Sequence, residues 1–153
     1  MLHVKAVGKD DDLSQIASEI NCAQWDDANE MSKYDAQSLS AYLDHQGTIF
    51  LACYEQTGSD RSLVGISSSR LEIKPYGHER WLYIDEIDVC ANQRRRGAGK
   101  AMMKKLLEIA KELNCEEVWL GTEVDNLAAN ALYRSMNPDD ILEVIGYTYE
   151  TAE

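Results

Sequence analysis

Between residues 81 and 124 the chain reads WLYIDEIDVCA, a short arginine- and glycine-rich turn, a helix-patterned stretch, and then EEVWLGTEV. Strand, helix and strand in that order leave one economical arrangement, a parallel pair joined by a right-handed crossover helix. Met102, Met103, Leu106, Leu107, Ala110 and Leu113 recur at helical spacing, while Lys104, Lys105, Glu108, Lys111 and Glu112 take the opposite side. Before this unit, LHVKAV (2–7), TIFLACYE (48–55) and LVGISSSRLEIK (63–74) read as strands, the last two joined through TGSDRS. DDDLSQIASEI predicts a helix with Asp10 to Asp12 as cap candidates, and a second helix runs from about Asp35 to His45 and ends at Gly47. Residues 22–34 are polar and irregular. DNLAANALYRSM (125–136) predicts a helix capped by Asp125 or Asn126, and ILEVIGYTYE (141–150) a final strand. The order β-α-α-β-β-β-α-β-α-β predicts an α/β (α+β) fold: a mixed, mostly antiparallel sheet of about six to seven strands flanked by about four helices. With no repeat, linker or low-complexity tract, residues 1–153 are expected to form a single domain.

Charge narrows the function classes. Fifteen Lys+Arg stand against 27 Asp+Glu, a formal net charge of −12. That balance argues against nucleic acid, whose phosphates need Lys and Arg, and favours cationic partners. MLHVKAVGKDDD turns acidic before a signal-like apolar stretch develops, and no apolar run has the length of a membrane span, so a cytoplasmic location and no membrane partner are expected. Cys22, Cys53, Cys90 and Cys115 are scattered and do not group with His3, His45 or His78, so neither a metal site nor a disulfide framework is expected.

Against this acidic background, the turn before the crossover helix holds Arg94, Arg95, Arg96 and Lys100 beside Gly97 and Gly99. A glycine-rich passage from strand to helix exposes backbone N–H groups at the positive end of the helix dipole, which is a setting for an anion, commonly phosphate. The P-loop pattern fails because Arg94 replaces its first glycine and Ala101 its Ser/Thr, and the dinucleotide pattern G-x-G-x-x-G fails at Met102.

The stretch Arg94-Arg95-Arg96-Gly97-Ala98-Gly99 does match R/Q-x-x-G-x-G/A, and so resembles the acyl-CoA pyrophosphate loop of the GNAT superfamily of N-acetyltransferases. A second element, Asn126-x-x-Ala129-x-x-Leu132-Tyr133, is similar to the N-x-x-A-x-x-L-Y element of the same family. The resemblance implies acetyl-CoA as co-substrate, without a metal. It implies that Arg94, Arg95, Arg96, Gly97, Ala98, Gly99 and Lys100 receive the phosphates, and that backbone groups of Ile87 and Val89, with Asn126 and Ala129, hold the pantetheine arm. Tyr133 then sits near the thioester sulfur. Its reference pKa of about 10, against about 8.5 for a thiol, keeps it protonated at neutral pH and able to donate to a departing thiolate. Where family members carry a Leu-Gly-Phe-like stretch, this chain has Ser135-Met136-Asn137-Pro138; Asn137 can take the left-handed helix-ending conformation and Pro138 prevents continuation.

Asp85, Glu86 and Asp88 crowd the strand just before the turn, a costly placement unless something positive meets them. With Glu123 they are candidates for an acidic acceptor wall. Glu86 is the leading candidate base, because only the neutral form of an amine attacks a thioester. RLEIKP (70–75), RWLYIDEIDV (80–89), ALYRSM and ILEVIGY resemble aminoglycoside N-acetyltransferases, the 3-N-acetylating kind in particular, with the tail also similar to 6′-N-acetylating ones. Polyamines and lysine-rich peptides are polycations too, so a GNAT enzyme for another cationic amine remains the alternative, and an acyl-CoA-binding module without catalysis a third. A carboxy-terminal strand with a free edge is a candidate for pairing two subunits into a homodimer.

Overall fold

Alternating apolar residues between positions 2 and 120 build one sheet in the computed structural model, which describes residues 1–152. Two units are distinguished, Met1–Gly121 and the stretch from Thr122 onward. In the first, β1 (Leu2–Ala6), β2 (Thr48–Thr57), β3 (Asp60–Ile73), β4 (Arg80–Val89) and β5 (Glu117–Leu120) pair in chain order. The first three pairings are antiparallel and β4–β5 is parallel. The connection between β4 and β5 is α3 (Ala98–Glu112), the crossover the sequence requires.

Local chemistry explains the element ends. Asp12 caps α1 (Leu13–Cys22) by accepting from the Gln15 N–H at 3.1 Å, and Asp35 caps α2 (Ala36–Asp44) in a reciprocal box with Ser38. That second helix stops at Asp44 with His45 as its cap, so Gly47 does not end it. With φ at 86°, Gly47 instead forms the tight entry to β2, its carbonyl accepting from the Leu71 N–H. Between α1 and α2 the irregular stretch contains a single 3-10 turn, Asp27–Asn29.

Leu13, Ile16, Ala17 and Ile20 of α1 and Leu39 of α2 pack on Phe50, Ala52, Tyr54 and Ile66, which cover one face of the sheet. Alternate residues Leu51 and Cys53 turn to the other face, where α3 lies. There Gly65, opposite Cys53, leaves room for Met102. A Cβ at residue 65 would stand 2.8 Å from Met102 Cε and 2.9 Å from the Asp88 carbonyl oxygen. The thioether can swing aside; the backbone carbonyl of β4 cannot. Gly65→Ala is therefore expected to cost about 1–3 kcal/mol, seen as a lower denaturant midpoint, and an unshifted midpoint would contradict the packing.

The second unit contains α4 (Leu127–Ser135), capped by Asn126, whose side chain accepts from the Ala129 N–H at 3.1 Å. Asn137 follows with φ at 56°, the left-handed ending that its side chain tolerates. The final strand does not form. Residues 141–150 carry no strand, and the described residues hold five strands rather than six or seven. Alternation predicts a strand only where a partner edge is supplied, and Gly146 weakens this one further. Ile145, Tyr147 and Tyr149 are 76–83% exposed.

Candidate functional site

The pairing of β4 with β5 runs from Trp81 opposite Glu117 to Ile84 opposite Leu120 and stops there. Beyond that point β4 continues to Val89 while β5 has ended. The break coincides with a bulge. Ser68 and Ser69 on β3 face Glu86 and Ile84, so Asp85 is the extra residue. The Cys90 N–H points back to Val64 O on the β3 side at 2.8 Å. By strand alternation, Asp88 and Glu86 share that direction, which turns the N–H and C=O groups of Ile87 and Val89 toward the unpaired edge.

That open edge leads through a 3-10 turn (Ala91–Gln93) into the start of α3. Gly97 caps the helix at φ 91° and ψ 4°. A Cβ here would meet only Leu2 Cδ1 at 3.8 Å, so the backbone angle, not crowding, demands glycine. Arg95 is left-handed as well, with φ at 67°. The first internal bond runs from the Ala101 N–H to Gly97 O, leaving the N–H groups of Ala98, Gly99 and Lys100 without an intrahelical acceptor. Among the described residues, Arg95, Arg96 and Lys100 are exposed and form no ion pair. Free N–H groups, a helix dipole and unpaired cations suit an extended, multiply charged anion.

Arg94 behaves differently. Its guanidinium binds Asp26 through two bonds of 2.5 and 3.0 Å and reaches Asn29 Oδ1 at 3.1 Å. The ion pair raises the Arg94 pKa and holds the Asp26 carboxyl below its ordinary value. Asn29 in turn donates to Asp88 Oδ1 at 3.1 Å and to Val89 O at 3.4 Å. The 3-10 turn after α1 thus clamps the glycine turn to the end of β4. Sequence reading had no signal for this clamp, because 59 to 68 residues separate the partners.

Glu86, Asp88 and Tyr34 gather on the α1–α2 side of the sheet. Partial burial, then the charges of Asp88 and Asp85, raise the Glu86 pKa above its ordinary value. Burial also raises Asp88, opposed by its bond from Asn29 and the charge of Arg94. Tyr34, from the irregular segment between α1 and α2, is half-buried, and its phenol is pushed up by burial and by the charges of Glu86 and Asp88. Its backbone is pinned to Asn21 by two reciprocal bonds of 2.7 and 2.9 Å. Asp85 is exposed and pairs with Arg70 at 3.3 Å.

Glu123, Asn126, Ala129 and Tyr133 belong to the second unit. The Glu123 carbonyl accepts from the Asn126 N–H at 3.1 Å and from Asn130 Nδ2 at 3.0 Å, so Asn130 fixes the turn into α4. Tyr133 and Asn126 lie two helical turns apart on α4, and Ala129 is bonded to the Asn126 cap.

An acidic strand thus loses its neighbour at a bulge and runs into a helix start whose free N–H groups and exposed cations suit an anion. Residues 11–137 match the Acetyltransferase (GNAT) family, and the chain belongs to that family. It is 30% identical over 96 residues to N-acetyltransferase 8 of Homo sapiens, covering 63% of this chain and 40% of that protein. It is 32% identical over 98 residues to N-acetyltransferase family 8 member 3 of Mus musculus, covering 64% and 43% respectively. The chain thus spans less than half the length of these curated relatives. In fold it is similar to an aminoglycoside acetyltransferase from an uncultured soil metagenomic sample, solved in complex with sisomicin, at a TM-score of 0.82 and 20% identity over 99% of this chain and 97% of that one. A ribosomal-protein-alanine N-acetyltransferase from Brucella melitensis aligns with a TM-score of 0.69 and 15% identity, over 97% of this chain and all of that one. No helix among the described residues is long and apolar enough to cross a membrane.

Gly97→Val should raise KM for the anionic donor by about tenfold or more, because a β-branched residue at φ 91° strains the turn. Equal donor affinity in the variant would remove the turn from the donor site.

Proposed function

We propose that this protein transfers the acetyl group of acetyl-CoA to an amine of a small polycation of the aminoglycoside type. The observation that carries the reading is the open edge of β4 from Asp85 to Val89, flanked by the Glu86 carboxylate and leading directly into the glycine turn of α3. The thioester supplies an acyl carbon activated for attack and a thiol as leaving group. Ala98, Gly99 and Lys100 N–H groups, with Arg95 and Arg96, bind the phosphates, and the Ile87 and Val89 backbone groups, with Asn126 and Ala129, the pantetheine arm. Arg94 positions the turn through Asp26 and Asn29. Asp85, Glu86, Asp88 and Glu123 attract the cationic acceptor. Glu86 takes the ammonium proton, directly or through water, and its raised pKa brings it nearer that of the amine it serves. Tyr133 gives a hydrogen bond or proton to the leaving sulfur.

A panel of sisomicin, spermidine and a lysine-rich peptide, each with acetyl-CoA and a thiol reagent, tests the reading. Acceptor-dependent CoA release is expected with sisomicin at a higher kcat/KM than with the peptide. Release with the peptide alone would transfer the assignment to protein amino groups.

A further inference from the structure

Three aromatic rings line the outer part of β4 and β5, away from the bulge. Trp81 and Tyr83 stack at 6.1 Å and 21°, and Tyr83 meets Trp119 at 5.4 Å and 46°. Trp119 is 36% exposed and folds along its strand over Gly121, where a Cβ would stand 2.9 Å from the indole. Any side chain at residue 121 would push this ring off Tyr83. Gly121 has no positive φ, so the ring's position is what requires the glycine.

The chain itself reveals what this shelf accepts. Lys74 Nζ lies 4.1 Å from the centre of the Trp81 ring and 5.8 Å from that of Tyr83, while the Arg70 guanidinium carbon lies 5.1 Å from Tyr83. Arg70 also pairs with Glu72 and with Asp85, the bulge residue beside Glu86. Asp85 and Arg70 both influence the Tyr42 phenol on α2, as Glu86 influences Tyr34, so the shelf and the candidate base share one face of the sheet. Cations resting on aromatic faces with carboxylates beside them are the usual recognition mode for ammonium groups.

We infer that Trp81, Tyr83 and Trp119 form a second acceptor subsite that binds an ammonium-bearing ring or chain remote from the reacting amine, displacing Lys74. The inference rests on the proposed acetyltransferase reading. At a strand rise of about 3.3 Å per residue, the shelf lies about 10–16 Å from Glu86. A molecule with one amine cannot occupy both places; a polyamine or polyamino sugar can. Lys74 competes for the rings, so its removal favours the acceptor even though it is not part of the reaction.

Binding of sisomicin and of glucosamine, a monoamine sugar, is measured by calorimetry on the intact protein, with CoA release followed in parallel. Sisomicin is expected to bind about tenfold or more tighter than glucosamine. Trp81→Ala should weaken sisomicin by about 5- to 30-fold and shrink that preference in proportion, with Trp81→Phe retaining most of the affinity. Lys74→Ala should tighten sisomicin by about 2- to 10-fold. Unchanged affinity in folded Trp81→Ala, weaker binding in Lys74→Ala, or no binding by the unaltered protein at millimolar concentration would each overturn the subsite. If Trp81→Ala does not fold, Lys74→Ala decides. Sisomicin binding with these responses but without CoA release would uphold the subsite and defeat the acetyltransferase reading.

Discussion

Glu86→Gln is expected to lower kcat/KM for amine acetylation by about 10²–10³-fold and to erase one limb of the pH profile. A base works only when deprotonated, so activity rises with pH through its pKa. Burial and the neighbouring Asp88 and Asp85 charges place that midpoint above the ordinary glutamate value. The unaltered enzyme should therefore lose activity on acidification earlier than a solvated carboxylate would dictate. Glutamine removes that limb and leaves only the ionisation of the amine itself. Asp88→Asn gives a complementary result: removing one of the charges that oppose Glu86 ionisation moves the limb to lower pH. Part of the upward shift persists, because burial is its largest cause. An unchanged profile in Glu86→Gln would pass the base role to Asp88, Glu123 or solvent.

Tyr133→Phe is expected to reduce kcat by about 10²-fold while acceptor KM stays nearly constant. A phenol can donate a hydrogen bond or a proton, whereas phenylalanine keeps the ring but cannot donate. An interaction used only as the thiol leaves should show in kcat and not in ground-state affinity. Single-turnover rates separate this loss from slow product release. Normal turnover in the variant would refute the acid role and leave Tyr133 a packing residue of α4.

What was legible in the sequence was local. The periodicity from Met102 to Ala110 marks the buried face of α3, and Met102 and Leu106 are fully buried there. Asp12 announces its helix through cap chemistry, and Asn137 takes the left-handed angle its amide allows. The glycine turn was legible because glycine is needed where the backbone turns left-handed into a helix, as Gly97 does.

What was not legible depends on distant partners. The bulge at Asp85 exists only in the register of β3 against β4, and a list of alternating residues carries no register. The bonds from the Arg94 guanidinium to Asp26 and Asn29 join residues 68 and 65 positions apart, which no local pattern announces. Tyr34 came from a stretch without periodicity, and Trp119 from a strand read only for its backbone. The segment 141–150 shows the converse error. Its alternation is sound as a pattern, yet the pattern supplies no edge to pair with, and its apolar side chains stay exposed.

One measurement tests the central claim most directly. The protein is incubated with acetyl-CoA and a mixed panel of amines, and the products are resolved by mass spectrometry and NMR. The account predicts one added acetyl group on an amine nitrogen of a polycationic sugar, formed in step with CoA release and lost in Glu86→Gln. Acetylation confined to hydroxyl groups or to monoamines, or no enzyme-dependent product at all, would contradict it.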